Sequence, residues 1–256
     1  MILIIGATGK LGRVVIETLL KKMPPENIVA FVRDADKAED LKTAGVNIKV
    51  GEYDDKQSLD AAMKGVEKVL QISGGNAPNL VEQHTNVVEA AKKGGVKCFA
   101  YTGRALKNRT TLVSKFMDTH FQTDDILMAS GMNFILFRNS LYMDSLPFSL
   151  GPNVAETGIN LPVGEGKVAF ALRSDFGEAI AIVLLQEDCS NHIYNFTGAK
   201  ACSYNDVAEA LSEIIEKQIV YNNVEPEVFV KQLVGRGVPE QIAHQAIRIN
   251  LAAQML

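Results

Sequence analysis

The chain has 256 residues, of which 47% are hydrophobic and 22% charged, a globular composition with room for one large domain or two smaller ones. Its 26 Lys and Arg residues against 30 Asp and Glu give a net charge of -4, and no segment concentrates the basic residues that nucleic-acid binding requires. The first residues lack the features of a secretory signal, and no apolar run reaches the roughly 20 residues that cross a bilayer. We therefore expect a cytoplasmic protein that binds neither nucleic acid nor membrane.

Strands and helices alternate through the first half of the sequence. The apolar run Ile2 to Ile5 predicts a buried strand, GATGKLG follows as a glycine turn, and LGRVVIETLLKK has the apolar spacing of a helix. The same rhythm continues through the strands IVAFV, VNIKVG, VEKVLQIS, VKCFAYTG and NFILFRN. This alternation predicts an α/β fold with a doubly wound parallel sheet, and ligands at the carboxyl ends of its strands.

Beyond residue 139 the pattern loosens into a stretch rich in Gly and Pro, followed by shorter elements. We expect helices near 175–185, after Ser203, near 227–233 and over 239–253, with strands at HIYNF and QIVYNNV. The predicted organisation is a first domain over residues 1–145, built on the parallel sheet, and a small C-terminal α/β lobe over 146–256, with interleaved segments.

The cysteines are few and far apart. Cys98, Cys189 and Cys202 form no CxxC motif and no Cys/His cluster. We therefore expect neither a disulfide framework nor a metal site, and a reducing compartment fits best.

The glycine turn carries the first functional prediction. Three glycines stand at GxxGxxG spacing between a strand and a helix, where a tight turn brings the backbone and a helix N-terminus close to a pyrophosphate. A purely structural turn is the alternative. The predicted pyrophosphate residues are Gly6, Thr8, Gly9, Lys10, Leu11 and Gly12.

Arg33 directly follows the second predicted strand, where an NAD-selective site carries an acidic residue that binds the ribose. A guanidinium suits the 2′-phosphate of NADP instead, and Lys37 could add positive charge. NADPH is the predicted cofactor and NADH the alternative. An exposed surface cation is the other interpretation of Arg33.

Other strand ends should line the cofactor if the sheet forms as predicted. For Tyr53 and Ser73, ordinary loop positions are an equally weighted alternative. The predicted residues are Glu52 and Tyr53 at the adenine, Ser73, Gly74 and Gly75 at the ribose and pyrophosphate, and Thr102 and Gly103 towards the nicotinamide.

The ordered segments GATGKLG, FVRD, VGEYDD, LQISGG, YTGRA and FRNSLY resemble the NmrA-like branch of the short-chain dehydrogenase/reductases. Within it, the chain is most similar to bacterial NAD(P)H quinone oxidoreductases and triphenylmethane reductases. The resemblance covers nearly the whole chain. It implies a Rossmann domain, a small C-terminal lobe, NADPH as hydride donor, and a cleft for a flat electrophile.

The wider group carries a Tyr-x-x-x-Lys pair, in which the tyrosine is a general acid, and often an acidic residue four positions later. His120 and Asp124 have that last spacing and should share one helix face, which puts Phe116 at the tyrosine position. Phenylalanine donates no proton, so the resemblance favours acceptors that take hydride without a strong acid. Lys115 and Tyr101 are weaker candidates for the acid.

His120 is the one predicted catalytic residue, through a hydrogen bond to the nicotinamide ribose or to an acceptor oxygen. A histidine satisfied inside a helix–sheet interface is the alternative. Arg104 stands where relatives commonly have a ring, which shifts the expected acceptor towards polar or anionic compounds. The predicted acceptor residues are Arg104, Asn139, Tyr142, Met143 and Phe148.

The favoured hypothesis is an NADPH-dependent oxidoreductase of quinones or similar conjugated acceptors, acting without metal. The alternatives are an NADP(H)-sensing regulator without turnover and a protein resembling nucleotide-sugar epimerases. The partner expected is a small aromatic electrophile, and a homodimer is compatible with the sequence.

Overall fold

The structure is a computed structural model that describes residues 1–74, 77–105, 109, 115–244 and 246; for Lys115 and Phe116 it describes the backbone only. The strands are β1 (Ile2–Ile5), β2 (Ile28–Val32), β3 (Asn47–Val50), β4 (Lys68–Ile72), β5 (Cys98–Arg104), β6 (Phe134–Asn139), β7 (Ile159–Leu161), β8 (Lys167–Val168), β9 (His192–Phe196), β10 (Cys202–Ser203) and β11 (Tyr221–Asn223). The helices are α1 (Lys10–Leu20), α2 (Glu39–Thr43), α3 (Lys56–Ala62), α4 (Leu80–Lys93), α5 (Lys115–Ala129), α6 (Leu146–Leu150), α7 (Val154–Thr157), α8 (Arg173–Leu185), α9 (Tyr204–Ile215) and α10 (Pro226–Gly235).

A seven-stranded sheet in the order β3-β2-β1-β4-β5-β6-β9 organises the larger part of the fold. All of its strand pairs are parallel. The strand order reverses between β1 and β4, and in such sheets ligands bind at the carboxyl ends of the strands beside this reversal. The predicted doubly wound α/β fold is confirmed.

The strands form because their side chains are apolar on both faces, as burial of β1 and β2 along their whole length shows. On one face, Leu3, Val69 and Phe99 pack against apolar side chains of α3, α4 and α5. Helices α1 and α8 pack against each other, and a Cβ added at Gly177 would lie 2.5 Å from Val14 Cγ1. The absence of a side chain at Gly177 therefore sets how closely these two helices approach.

The chain divides into two compact units, of which the first comprises Met1–Arg104, Lys115–Asn139 and Arg173–Phe196. The predicted boundary at residue 145 placed α8 and β9 in the C-terminal lobe, because both follow that residue in the sequence, although interleaved segments were expected. In the structure, β9 pairs with β6 and completes the sheet of the first unit.

The second unit contains Ser140–Leu172 and the described chain from Thr197 onwards. Strands β7 and β11 pair in parallel, and β8 pairs with β10 in antiparallel fashion. Helix α9 begins with a capping box, in which Ser203 Oγ accepts from Asp206 N and the Asp206 carboxylate accepts from Ser203 N. This cap confirms the helix start predicted at Ser203.

The cysteine prediction is wrong for one pair, because Cys98 and Cys189 form a disulfide with their Cα atoms 5.8 Å apart. Cys98 is the first residue of β5, and Cys189 lies just before β9. Parallel strands bring their starting residues to the same edge of the sheet. A separation of 91 residues in sequence conceals that proximity.

Some predictions concern residues outside the described part of the chain. Gly75 is one of them, and the predicted helix over 239–253 lies only partly within it. Among the residues described, no helix combines the length and apolar character needed to cross a membrane.

Candidate functional site

The turn between β1 and α1 is shaped by backbone atoms alone. Gly6 has φ +84°, a left-handed conformation that favours glycine, and Gly9 N donates to Gly6 O at 3.0 Å. A Cβ at Gly12 would lie 2.2 Å from Gly6 O and 2.9 Å from Ala7 Cα. The helix therefore starts directly against the turn, leaving no room for a side chain between them.

The N-terminus of α1 suits an anion. Gly9 is the N-cap, and within the described chain no side chain caps it and no acidic residue occupies the first turn. The first backbone N–H groups of a helix lack intrahelical acceptors and carry partial positive charge. Lys10 is exposed, Thr8 is half-buried and Leu11 is buried. These residues fit a dinucleotide pyrophosphate, which the turn would hold through backbone donors.

Arg33 is exposed directly after β2, as the cofactor prediction requires. Lys37 lies 3.6 Å from the Asp34 carboxylate, which makes it a weaker candidate for cofactor contact. Arg13 of α1 holds the segment that follows β2: its Nη2 donates to Lys37 O at 2.8 Å, and its guanidinium pairs with Asp40. Arg13 was not anticipated, and it links the glycine turn to the region of Arg33.

Tyr53 packs more firmly than a loop residue would. Its ring stacks on Phe31 with centroids 6.3 Å apart, and Asn86 Nδ2 donates to its carbonyl oxygen at 3.1 Å. Burial raises the pKa of the Tyr53 phenol, and the Arg33 guanidinium acts against that shift. Glu52 beside it is exposed. Arg33 and Tyr53 are thus close enough to interact electrostatically.

The ends of β4 and β5 are joined through Thr102, whose Oγ1 accepts from Ser73 N at 3.0 Å. Gly74 is exposed, and a Cβ there would meet nothing within 4 Å. Gly103 is buried, and its Cβ would lie 3.4 Å from Tyr101 Cε1 and 3.7 Å from Asp124 Oδ1. Thr102 therefore has a structural role in addition to its predicted position beside the cofactor.

His120 lies in a buried polar cluster between β5 and α5. The Tyr101 hydroxyl is 2.9 Å from His120 Nδ1, and both side chains are buried. Burial lowers the pKa of His120 to about 3, and Arg104 and His84 act in the same direction. The imidazole is therefore neutral near pH 7. Asp124, one turn further along α5, is buried with Arg138 Nη2 at 3.0 Å from its Oδ2.

His84 of α4 belongs to the same cluster, with its ring 5.5 Å from that of Tyr101. His84 Nδ1 is 2.7 Å from Thr123 Oγ1, and that hydroxyl donates to Thr119 O at 2.8 Å. Because the hydroxyl hydrogen is already used, His84 Nδ1 must carry the hydrogen of its bond to Thr123. Burial lowers the pKa of His84 to about 4, so this ring is also neutral.

Gln71 is the unexpected member of this face of the sheet. It is the cross-strand neighbour of Tyr101, and its side chain is 1% exposed. Neither its Oε1 nor its Nε2 has a hydrogen-bond partner in the described structure. An unpaired buried amide is destabilising, so this position carries a cost that an apolar side chain would remove.

Replacement of Gln71 by leucine should raise the free energy of unfolding by about 1–2 kcal/mol, because the buried amide is exchanged for an apolar group of similar size. Urea unfolding of both proteins at neutral pH measures the change. Gln83→Leu is the matched control, since Gln83 Nε2 donates to Asp54 Oδ2 at 2.7 Å and loses that bond. A loss of stability in Gln71→Leu, or an equal gain of stability in both variants, would contradict the account.

The predicted acceptor residues fall in both units. Arg104 and Asn139 are register partners at the ends of β5 and β6 in the first unit. Tyr142, Met143 and Phe148 belong to the second unit, where Met143 N donates to Ala171 O at 2.8 Å. Met143 is 43% and Phe148 71% exposed. Their role towards an acceptor stays a prediction.

A profile of the NmrA-like family matches residues 1–255, almost the entire chain. The chain belongs to the NmrA-like family. Escherichia coli K12 quinone oxidoreductase 2 is 36% identical to this NmrA-like protein over 244 residues, 95% of this chain and 84% of the relative. The NAD(P)H azoreductase of Xenophilus azovorans is 30% identical over 246 residues, again 95% and 84%.

Solved structures agree with this NmrA-like fold. Citrobacter sp. triphenylmethane reductase complexed with NADP(H) superposes with a TM-score of 0.91 at 35% identity, covering 99% of this chain and 90% of the other. The NADPH complex of the E. coli NADPH-dependent quinone oxidoreductase gives 0.90 at 34% identity, covering 99% and 89%. These neighbours confirm the predicted family and fold.

The structure adds residues to this NmrA-like site that sequence reasoning missed. Arg13 had a signal, since it lies one turn into the helix after the glycine motif. Gln71 also had one, because it is a polar residue inside an apolar strand. The bond between Tyr101 and His120 had none, because it joins a strand to the following helix at a register that only the fold defines.

Proposed function

We propose that this NmrA-like protein is an NADPH-dependent oxidoreductase that reduces a quinone or a similar conjugated acceptor. The observation that carries the proposal is the backbone turn of Gly6, Gly9 and Gly12 at an uncapped helix N-terminus, with Arg33 exposed at the next strand end. The names of the relatives, a quinone oxidoreductase, an azoreductase and a triphenylmethane reductase, support the same class of reaction.

The first unit supplies the cofactor residues. The N–H groups at the start of α1 bind the pyrophosphate, and the Arg33 guanidinium binds the 2′-phosphate. NADPH supplies the hydride, and the proton that completes the reduction of a quinone comes from solvent. The remaining proposed cofactor residues are Thr8, Lys10, Glu52, Tyr53, Ser73, Gly74, Thr102, Gly103 and His120.

The reaction class follows from the chemistry of α5. In the proposed register Phe116 replaces the tyrosine acid, and the side chain of Phe116 is outside the described part of the structure. His120 is neutral, so it acts as a hydrogen-bonding group and does not deliver a proton as an imidazolium. A quinone or conjugated dye accepts hydride into a delocalised system, so placement of the acceptor supplies much of the catalysis.

Acceptor-dependent oxidation of NADPH by the purified protein tests the proposal. The panel contains benzoquinones, naphthoquinones, azo dyes and triphenylmethane dyes, and turnover is followed as the loss of reduced-nicotinamide absorbance. We expect turnover with at least one quinone and none with a simple ketone. No turnover with any acceptor, together with tight NADPH binding, would reject the enzymatic proposal.

Arg33→Ala should weaken NADPH binding by about 10- to 100-fold, because one charge-assisted contact to a phosphate contributes about 1.5–3 kcal/mol. The affinity for NADH, which lacks the 2′-phosphate, should change by less than about 2-fold. Calorimetric titration of both cofactors measures the two affinities. Lys42→Ala is the control, since Lys42 is also an exposed cation and pairs with Glu39. An equal loss of affinity for NADPH and NADH would contradict the assignment of Arg33 to the 2′-phosphate.

Cofactor sensing without turnover is the second candidate function. The neutral, buried state of His120 favours it, because a neutral imidazole is a poor proton donor near pH 7. It predicts discrimination between NADP+ and NADPH in titrations, with no acceptor reduced.

A further inference from the structure

Arg13 contacts both regions to which the proposed function assigns phosphate groups of NADPH. It is the fourth residue of α1, and its backbone N–H donates to the carbonyl oxygen of Gly9, the N-cap of that helix, at 3.0 Å. Its side chain reaches the segment that follows Arg33. There, Nη2 donates to Lys37 O at 2.8 Å and to Asp40 Oδ1 at 3.2 Å, and Nη1 donates to Asp40 Oδ2. Arg13 thus joins the pyrophosphate turn to the chain directly after the proposed 2′-phosphate ligand.

The direction and charge of these contacts are fixed by the groups involved. A guanidinium has only donors and stays protonated in proteins, whereas a carbonyl oxygen and a carboxylate accept. The hydrogen bond from Arg13 lowers the pKa of Asp40, so this carboxylate is ionised at neutral pH. Two hydrogen bonds from the planar fork to one carboxylate, with a third to a carbonyl oxygen, restrict the segment to one position relative to α1.

The segment that Arg13 holds has little regular structure of its own. It consists of a single 3₁₀ turn, Asp36–Ala38, and the five-residue helix α2. Ala38 and Leu41 are buried, and the other residues from Asp34 to Thr43 are exposed. Helices this short are not stable by themselves, so contacts with the rest of the fold keep the segment in place. Because Arg33 immediately precedes the segment, a shift of the segment also moves the Arg33 guanidinium.

We propose that Arg13 is a positioning residue that fixes the segment after β2 and thereby places the Arg33 guanidinium for the 2′-phosphate of NADPH. Arg13 acts through Arg33 and does not bind the phosphate itself, because its terminal nitrogens already donate to Asp40 and to Lys37 O. The inference rests on the proposed function for the role of Arg33. It adds that the preference for NADPH over NADH depends on the contact between α1 and this segment.

Two variants separate positioning from an electrostatic role of Arg13. Arg13→Lys keeps the positive charge but loses the planar fork, and Asp40→Ala removes both acceptor oxygens together with a negative charge. If Arg13 acts by positioning, both variants weaken NADPH binding. If Arg13 acts through its charge, Arg13→Lys binds NADPH as before, and Asp40→Ala binds it more tightly because a repulsive charge is gone.

Calorimetric titration with NADPH and with NADH measures the effect without any acceptor. We expect each variant to lose about 3- to 10-fold in NADPH affinity, as if the segment kept its binding position in about a tenth to a third of the molecules. The affinity for NADH, which lacks the 2′-phosphate, should change by less than about 2-fold. The melting temperature should fall by less than about 3 °C, because an exposed ion pair contributes little to stability.

Glu67→Ala is the matched control for Asp40→Ala. Glu67 also forms an exposed ion pair, with Lys97 at 2.9 Å, but it directly precedes β4 at the edge of the sheet opposite the proposed cofactor site. This variant should leave both affinities unchanged. The double variant Arg13→Lys/Asp40→Ala should lose no more NADPH affinity than the weaker-binding single variant, since both changes remove the same contact.

Unchanged NADPH binding in Arg13→Lys, or unchanged or tighter binding in Asp40→Ala, would overturn the positioning role. An equal loss of affinity for NADPH and NADH in either variant would overturn it as well. Arg33→Ala in the same series distinguishes this failure from failure of the proposed function. A loss of NADPH affinity in Arg33→Ala, with none in the other two variants, rejects positioning alone. No loss in Arg33→Ala rejects the 2′-phosphate assignment, on which the positioning role depends.

Discussion

Lowering the pH from 7 to 5 should reduce the free energy of unfolding by about 3–4 kcal/mol through His84 and His120 alone. Burial lowers the pKa of these two imidazoles to about 4 and about 3, whereas in the unfolded chain they titrate near 6.5. Between the folded and the unfolded pKa values, the unfolded chain binds protons that the folded protein does not bind. The free energy of unfolding therefore increases with pH. The contribution is fully present above about pH 6.5 and is lost as the pH falls towards 4.

Urea unfolding at several pH values between 5 and 7.5 measures this dependence. His84→Gln should remove about half of it, because each imidazole contributes about 2 kcal/mol of the change. His244→Gln is the control, since that side chain is 59% exposed and its loss removes no buried imidazole. A free energy of unfolding that does not change with pH would show that the two histidines of the cluster are solvated or already charged in the folded state.

Gly12→Ala should have the largest effect on cofactor binding. The added Cβ would lie 2.2 Å from Gly6 O and 2.9 Å from Ala7 Cα, and both atoms are backbone, so the turn must open. We expect a loss of about 1–3 kcal/mol in stability from overpacking. NADPH affinity should fall by at least about 100-fold, because two displaced backbone donors each contribute about 1.5–3 kcal/mol to a charged group.

Thermal unfolding and NADPH titration of the same samples measure the two effects of Gly12→Ala. Gly235→Ala provides the control, because a Cβ there meets nothing within 4 Å and the position ends helix α10. It should leave the cofactor affinity unchanged and should not lower the melting temperature, since alanine is more favourable than glycine at a helical position. Unchanged NADPH binding in Gly12→Ala would mean that the cofactor does not use this turn.

Much of the fold was predictable because it follows from local patterns of apolar residues in the sequence. Runs such as Ile2–Ile5 and Ile28–Val32 are apolar throughout, and each is followed by helical spacing, which is sufficient to predict a parallel sheet. The place of β9 was not predictable in this way. His192–Phe196 pairs with β6 although the segment Ser140–Leu172 and helix α8 lie between them in sequence, and such pairing depends on tertiary contacts.

The site was predictable where it uses glycine and strand ends, and not where it uses buried partners. The turn at Gly6 follows from spacing alone. The bond from Tyr101 to His120, the Cys98–Cys189 disulfide and the unpaired amide of Gln71 each depend on how neighbouring strands and helices align. Sequence reasoning considered Tyr101 only as a weaker candidate for the acid, whereas the structure buries its side chain and places its hydroxyl 2.9 Å from His120 Nδ1.

The first unit is built from three separate segments of the chain, which limits where the protein can be divided into fragments. Its third segment, Arg173–Phe196, supplies α8 against α1 and β9 against β6 after the chain has passed through Ser140–Leu172 of the second unit. A fragment ending at residue 145 would therefore leave the hydrogen-bonding edge of β6 and an apolar side of α1 uncovered. Exposed edges of this kind promote aggregation. The dinucleotide-binding half is consequently a spatial unit that no single continuous fragment reproduces.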